Sequence, residues 1–215
     1  MTLLQILTKA RYYLDDDDKV RYPDVELTTY VNQSYRFYWN KLVNASYNGI
    51  LATPASLNIV ATVATIALPA DFYKIKNILR VLSDKKVPLY YREGYEDYVY
   101  TNFGMSIYAP TVRVRGSNLL LNPLPQSSET GGIEVEYWPT ITELSANGDI
   151  PAFNVQWHEV IPIKAAIIAK SMRDEEDVEN IAAILAIEES VINDAMDYMT
   201  IQRSTVDPFI IGGGY

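Results

Sequence analysis

Residues 66–139 place the strongest constraint on the fold, because apolar side chains recur there at every second position. Val112 and Val114 alternate with arginines, and Ile133 and Val135 alternate with glutamates. A period of two is typical of half-buried strands that have one apolar and one charged face. The pattern predicts a small antiparallel sheet in the middle of the chain.

The same stretch predicts a hairpin and a set of ion pairs. A two-residue link, Gly-Ser at 116–117, is typical of a type II′ turn, because glycine adopts the positive φ that the first position requires. If the strands lie side by side, Arg113 and Arg115 face Glu134 and Glu136 across the ladder. Each such pair would stabilise the sheet by roughly 0.2 to 1 kcal/mol.

Helical spacing of apolar residues is found on both sides of this stretch. It predicts helices over residues 2–14 and about 25–47, the second with Asp24 as its N-cap. A loop over residues 140–150 then leads into further helices that end near residue 203. The aromatic residues of the second helix have the spacing of core or subunit-contact residues, which we favour over a base-stacking platform.

The predicted fold class is therefore α+β. Residues 1–56 and 140–203 form a discontinuous helical bundle, residues 57–139 form an inserted antiparallel β module, and residues 204–215 form an extended C-terminal arm. The arm contains Pro208 and three consecutive glycines, which disfavour regular structure. A length of 215 residues suits one domain with a second inserted into it.

Composition argues against several classes of protein. The chain has no cysteine, so disulfides and thiolate metal sites are excluded. No apolar run approaches the roughly 20 residues of a membrane span, and the N-terminus lacks a basic region with a cleavage site. We expect a soluble, unprocessed chain without membrane contact. The acidic run at 15–18 lacks the spacing of a calcium loop and is expected to be a solvated turn.

No residue pattern indicates catalysis. His158 is the only histidine, and no Gly-x-Ser-x-Gly elbow accompanies it, so a capping or core role is favoured. The glycines at 212–214 are followed by no lysine and no helix, as a phosphate loop would require. A pair of carboxylates for glycoside cleavage stays open, because such pairing is spatial. We predict a protein that is not an enzyme, with no catalytic residue, no cofactor and no metal ligand.

The net charge of −9 is unevenly distributed. Residues 1–142 hold 14 acidic and 14 basic side chains, whereas residues 143–215 hold 13 acidic and 4 basic ones. An acidic surface repels phosphate, so stable binding of nucleic acid there is disfavoured, although DNA can pass by it. The central segment is charge-balanced and rich in tyrosine, which suits a protein-binding or carbohydrate-binding surface or partial burial under the sheet. These tyrosines are Tyr90, Tyr91, Tyr95, Tyr98, Tyr100 and Tyr108.

The order of short motifs along nearly the whole chain resembles a known family. The motifs are LTTYVNQS at 27–34, LPADFYKI at 68–75, LLLNPLP at 119–125, VEYWP at 135–139, and IP at 150–151 ahead of WH at 157–158. Together with two acidic C-terminal helices, they resemble the head-to-tail adaptor proteins of tailed phages, and are similar to the tail tubular or head-completion ring proteins of short-tailed phages.

This resemblance implies a structural virion protein at the head-tail junction, made in the host cytoplasm. A homo-oligomeric ring of about twelve copies, a dodecamer, would join the portal protein to a tail or nozzle protein. DNA would pass through its lumen without specific binding. The family carries no catalytic residues that could be transferred to this chain.

Two sets of residues are then candidate contact sites. An acidic set is predicted to face the channel: Asp174, Glu175, Glu176, Asp177, Glu188 and Glu189. An apolar set in the arm is predicted to contact the portal or a neighbouring subunit: Phe209, Ile210, Ile211 and Tyr215. Two other functions stay open, namely a virion receptor-binding or carbohydrate-binding module that uses the tyrosines, and a lytic enzyme that uses unidentified carboxylates.

Overall fold

The chain divides into two compact units in a computed structural model that describes residues 1–83, 85–89, 111–173, 182, 185–190 and 192. The helical unit comprises Met1–Gly49 and Ile141–Tyr215, and the β unit comprises Ile50–Thr140. The β unit is therefore inserted between two segments of the helical unit. The predicted domain boundaries, which fall after residues 56 and 139, stay predictions.

Three helices of the helical unit are described over their full length. Helix α1 spans Leu3–Leu14 and begins with a capping box formed by Thr2 and Gln5. Helix α2 spans Asp24–Asn44, helix α3 spans Val160–Arg173, and residues 185–190 are also α-helical. The prediction that Asp24 caps α2 is wrong, because Pro23 occupies the N-cap and no side chain caps the helix.

Helix α3 packs against both α1 and α2. The small side chains of α3 permit this close packing, and Ala165 and Ala166 are fully buried as a result. The Ser34 hydroxyl of α2 donates a hydrogen bond of 2.9 Å to the Ile161 carbonyl of α3. This bond gives the buried Ser34 hydroxyl its partner and helps to fix the position of α3 against α2.

The β unit contains two antiparallel sheets. Its strands are β1 Ala55–Ile59, β2 Thr65–Ala67, β3 Phe72–Leu82, β4 Lys85–Pro88, β5 Thr111–Arg115, β6 Asn118–Asn122 and β7 Glu129–Pro139. A four-stranded sheet has the order β1-β7-β3-β4, and a three-stranded sheet has the order β2-β6-β5. The apolar faces share one core that includes Ile66, Val112, Leu119 and Ile133.

The predicted hairpin is confirmed at residues 116–117. Arg115 pairs with Asn118 across the turn between β5 and β6, and Gly116 has a φ of +59°. Because a side chain at this φ is strained, glycine is the residue that permits the two-residue connection.

The predicted cross-strand ion pairs are wrong. Arg113 and Arg115 lie on β5, which pairs with β6, whereas Glu134 lies on β7 in the other sheet. Glu134 instead binds Lys86 of β4 at 2.8 Å, and Glu136 accepts a hydrogen bond of 2.8 Å from Asn77 of β3. The single sheet predicted from alternation is two sheets, since alternation identifies strands without identifying their partners.

The protein is thus a mixed α and β structure with antiparallel sheets, as the sequence predicted at this level. The predicted bundle in full includes residues 174–181 and 193–203, all of which lie outside the described residues, so it stays a prediction.

Candidate functional site

His158, the one imidazole of the chain, has a structural environment. The side chain is buried, and Nε2 lies 2.8 Å from the Phe153 carbonyl oxygen, so Nε2 carries the donated proton. Nδ1 lies 2.6 Å from the amine of Met1 and accepts from it. Burial lowers the pKa of His158, which keeps the ring neutral. Both nitrogens are engaged within the chain, which confirms the expected core role.

A buried ionic cluster joins the end of α1 to the start of α2. Arg11 is 4% exposed and donates to the Asp16 carboxylate at 2.7 Å, to the Asp24 carboxylate at 2.6 Å and to the Tyr22 carbonyl at 2.9 Å. Asp16 also accepts from the backbone N–H groups of Arg21 and Tyr22. The hydrogen bond from Arg11 holds the pKa of Asp24 below its usual value. The acidic run is therefore only partly the solvated turn that we expected.

A signal for this cluster was present in the sequence. Arg11 lies four residues after Leu7 and three before Leu14, which places a charge on the apolar face of α1. A cation on a buried face requires a partner of opposite charge. That argument predicts an acidic partner for Arg11, but it does not choose among the four aspartates that follow α1.

The loop that follows the β unit, at residues 144–149, is held in one conformation by hydrogen bonds from two side chains, Asn32 and Asp149. Asn32 of α2 donates to the Leu144 carbonyl and accepts from the Leu144 N–H, each at 2.9 Å. The Asp149 carboxylate accepts from the N–H groups of Ser145 and Ala146, each at 2.7 Å, which lowers the pKa of Asp149. The loop is consequently a preorganised wall rather than a loose connection.

A groove of about 500 Å³ lies between this loop, α1 and the first turns of α2. Leu3, Leu4 and Leu7 line one side of it, and Val25 and Thr28 line another. The Leu4 side chain is 49% exposed and the Val25 side chain is 83% exposed. The groove is therefore an open surface of the helical unit that combines exposed apolar side chains with polar ones, among them Lys19 and Asn147, and its volume lies within the range of small-ligand sites.

Glu188, one of the predicted channel-facing residues, is buried and makes intrachain contacts. It is 5% exposed, accepts a hydrogen bond from the Tyr38 hydroxyl, and lies 3.4 Å from Lys164. Burial, followed by the hydrogen bond to this carboxylate, raises the pKa of Tyr38. A buried carboxylate cannot face a channel, so the prediction for Glu188 is corrected. Glu189 is exposed, as a channel-facing residue would have to be.

The remaining predicted contact residues lie outside the described part of the chain. They are Asp174, Glu175, Glu176, Asp177, Phe209, Ile210, Ile211 and Tyr215, and the tyrosines between 90 and 108 are outside it as well. Their proposed roles stay predictions.

Two acidic residues of the C-terminal half form ion pairs with cations of the N-terminal half. Glu159 binds Lys9 of α1 at 2.6 Å, and Glu143 binds Arg36 of α2. Both pairs are exposed, so each contributes little to stability, but each neutralises part of the acidic excess. The excess of negative charge in the C-terminal half is therefore partly neutralised in the folded protein by cations of the N-terminal half.

The described residues contain neither a metal-binding cluster nor a helix that could cross a membrane. No group of three or more His, Cys, Asp or Glu side chains there has an arrangement that could hold a metal ion. In the same part of the chain, no helix combines the length and hydropathy that a membrane crossing requires.

The family model for the SU10 adaptor protein matches residues 1–208. The chain therefore belongs to the SU10 adaptor protein family, a family of phage head-to-tail adaptors. A comparison with curated proteins gave no match.

Family membership has direct consequences for function. The protein is a structural component of a phage virion, and it interacts with other phage head or tail proteins. Structural phage adaptors are typically not enzymes. The resemblance seen in the motif order is confirmed at the level of the family.

Proposed function

We propose that the protein forms a homo-oligomeric ring of about twelve copies that joins the portal to the tail and encloses part of the DNA conduit. The family match over residues 1–208 is the observation that carries this proposal. A connector ring needs one surface for the protein above it and another for the protein below it, in addition to its subunit contacts.

The two units of the chain are suited to two different neighbours. Each unit has its own buried core, so each can present a rigid surface. The β unit is charge-balanced, and its described part exposes the apolar side chains Val60, Val63 and Leu124. We assign the β unit to contact with a different neighbouring ring from the one that the helical unit contacts, because balanced and partly apolar surfaces favour protein partners.

The acidic C-terminal region is the proposed channel lining, with Asp174–Asp177 and Glu189 as its residues. Like charges around a pore prevent DNA from adhering while it moves. Glu188 is excluded from this surface because it is buried. The purified protein should therefore show no stable binding to duplex DNA at about 0.15 M salt, where the Debye length is about 8 Å.

The arm at 204–215 is the proposed contact with the portal or a neighbouring subunit. Phe209, Ile210 and Ile211 are consecutive apolar residues. Burying one such side chain gains roughly 1.5 to 3 kcal/mol, and in a ring this gain repeats at every interface.

The test is assembly with the purified portal protein of the same phage, observed by electron microscopy. The full chain should add one ring to each portal, and a chain that lacks residues 209–215 should keep its melting temperature but lose the ring. A full chain that stays monomeric with portal over a range of concentrations would refute the ring. Normal assembly of the truncated chain would refute the role of the arm alone.

A further inference from the structure

The groove in the helical unit is preformed, because hydrogen bonds fix each of its walls. The N–H groups of Leu3 and Leu4 donate to the carbonyls of Asp149 and Asn147 at 2.8 and 3.1 Å, which ties the start of α1 to the loop. Asn32 ties the same loop to α2. An occupant would therefore find the walls already in place and would not have to order them.

The lining of the groove is more apolar than its sequence indicates. Three threonines line it, and each hydroxyl donates to the carbonyl four residues earlier in its own helix: Thr8 to Leu4 at 2.9 Å, Thr28 to Asp24 at 2.7 Å, and Thr29 to Val25 at 3.1 Å. A hydroxyl turned back to its own helix leaves the methyl group as the outward surface. Together with Leu4 and Val25, these methyl groups form a surface that selects an apolar occupant.

We propose that this groove receives the apolar arm residues Phe209, Ile210 and Ile211 of a second copy of the chain. This inference rests on the proposed ring, and it names the surface that the arm contacts. The arm of 12 residues spans up to about 40 Å when extended, at roughly 3.3 to 3.6 Å per residue, a length that would let it extend from one copy towards the next.

The charged residues in the lining of the groove are compatible with the same occupant. Lys19 lines the groove with the Arg11–Asp24 pair, and its exposed amine lies 3.4 Å from the Asp24 carboxylate. In the arm, Asp207 and Pro208 directly precede the apolar residues. In the proposed complex, Asp207 would be the arm carboxylate next to the apolar triplet and could share Lys19 with Asp24. A groove on one copy and an arm on the next form a heterologous interface, which generates a ring if the rotation between successive copies closes.

Disulfide trapping tests this arrangement in the full chain, because the chain has no cysteine of its own. Two single variants, Thr28→Cys in the groove and Ile210→Cys in the arm, are mixed and assembled with portal protein under mild oxidation. A disulfide requires Cα atoms within about 7 Å, so only an arm seated in the groove gives a cross-link between the two chains. The matched control replaces Thr28→Cys with Val155→Cys, at an exposed residue of the helical unit that does not line the groove.

We expect the mixed pair to give at least about tenfold more cross-linked dimer than the control pair, since the arm is held at high effective concentration. Rings on the portal without this cross-link would overturn the groove assignment and leave the ring function intact. A cross-link that forms only inside a doubly substituted chain at high dilution would show that the arm occupies its own groove, and would overturn the second-copy assignment. Absence of any ring would refute the proposed function and, with it, this inference.

A second variant tests the groove without cysteine chemistry. Val25→Lys places a charge on the apolar surface, and Val155→Lys places the same charge elsewhere on the helical unit. Both side chains are exposed, at 83% and 62%, so both variants should keep the melting temperature of the wild type. Ring formation should fall about tenfold or more for Val25→Lys alone, because a lysine charge is costly to desolvate. Equal assembly of the two variants would contradict the proposal.

Discussion

Replacement of Arg11 by methionine should cause a large loss of stability in the helical unit. The substitution keeps an unbranched apolar stem but removes the guanidinium group, and it leaves the Asp16 carboxylate, whose side chain is 4% exposed, without a cation. Breaking a buried ion pair typically costs about 3 to 5 kcal/mol. The N–H groups of Arg21 and Tyr22 still donate to Asp16, so we expect a cost of about 3 kcal/mol, at the lower end of that range.

Urea unfolding at pH 7, followed by far-UV circular dichroism, measures this cost. The control is Lys9→Met on the same helix, where the pair with Glu159 is nearly half exposed and should contribute less than about 1 kcal/mol. The double variant Arg11→Met with Asp16→Asn should recover part of the loss, since no buried charge remains unpaired. If Arg11→Met destabilises the protein no more than Lys9→Met does, the buried cluster does not act as described.

The same variant should also alter the acid dependence of stability. Arg11 holds the pKa of Asp24 below its usual value in the folded state, so the folded state binds fewer protons than the unfolded state. The resulting stabilisation is present above the unfolded pKa of about 3.9 and is lost as the pH falls through the lower folded pKa. Arg11→Met should flatten this dependence below about pH 4. An unchanged acid profile would contradict the assignment.

Three further substitutions test other parts of the structure. Burial lowers the pKa of His158, so the free energy of unfolding should fall as the pH drops below about 6.5. In urea titrations between pH 7 and 5, His158→Gln should remove this pH dependence. A pH dependence that persists in the variant would refute the neutral ring. Asn32→Ala leaves the N–H and carbonyl of Leu144 without their partner and should cost about 1 to 3 kcal/mol in urea unfolding, whereas a change near zero would argue against a preorganised loop. Arg80→Met leaves the Glu129 carboxylate without its guanidinium and should cost about 2 kcal/mol, and a cost similar to that of an exposed pair would show that burial of Arg80 has no energetic consequence.

The pairing of charges within the chain narrows the proposed channel surface. Glu143 and Glu159 are neutralised by Arg36 and Lys9, and Glu188 is buried. Of the residues predicted to face the lumen, Glu189 and the acidic run at 174–177 remain available. An acidic lining would thus be concentrated in the segment after α3 rather than spread over the whole C-terminal half.

Regular structure was largely predictable from the sequence. The limits of α1 and β3 follow from local patterns, since apolar spacing over a few residues selects helix or strand, and Thr2 with Gln5 supplies a capping signal. The turn at Gly116 was predictable for the same reason, because two residues determine its φ requirement. Membership of the adaptor family was also visible in the order of short motifs.

Strand partners and ion partners were decided by the tertiary structure. Glu134 pairs with Lys86 rather than with an arginine of β5, and Asp24 binds Arg11 instead of capping α2. Similarly, the groove exists only because α1, α2 and the 144–147 loop meet in space. The spacing of apolar side chains in a segment indicates which of its faces is buried. The surface that packs against this face depends on contacts between residues distant in sequence, and these contacts form only when the chain folds.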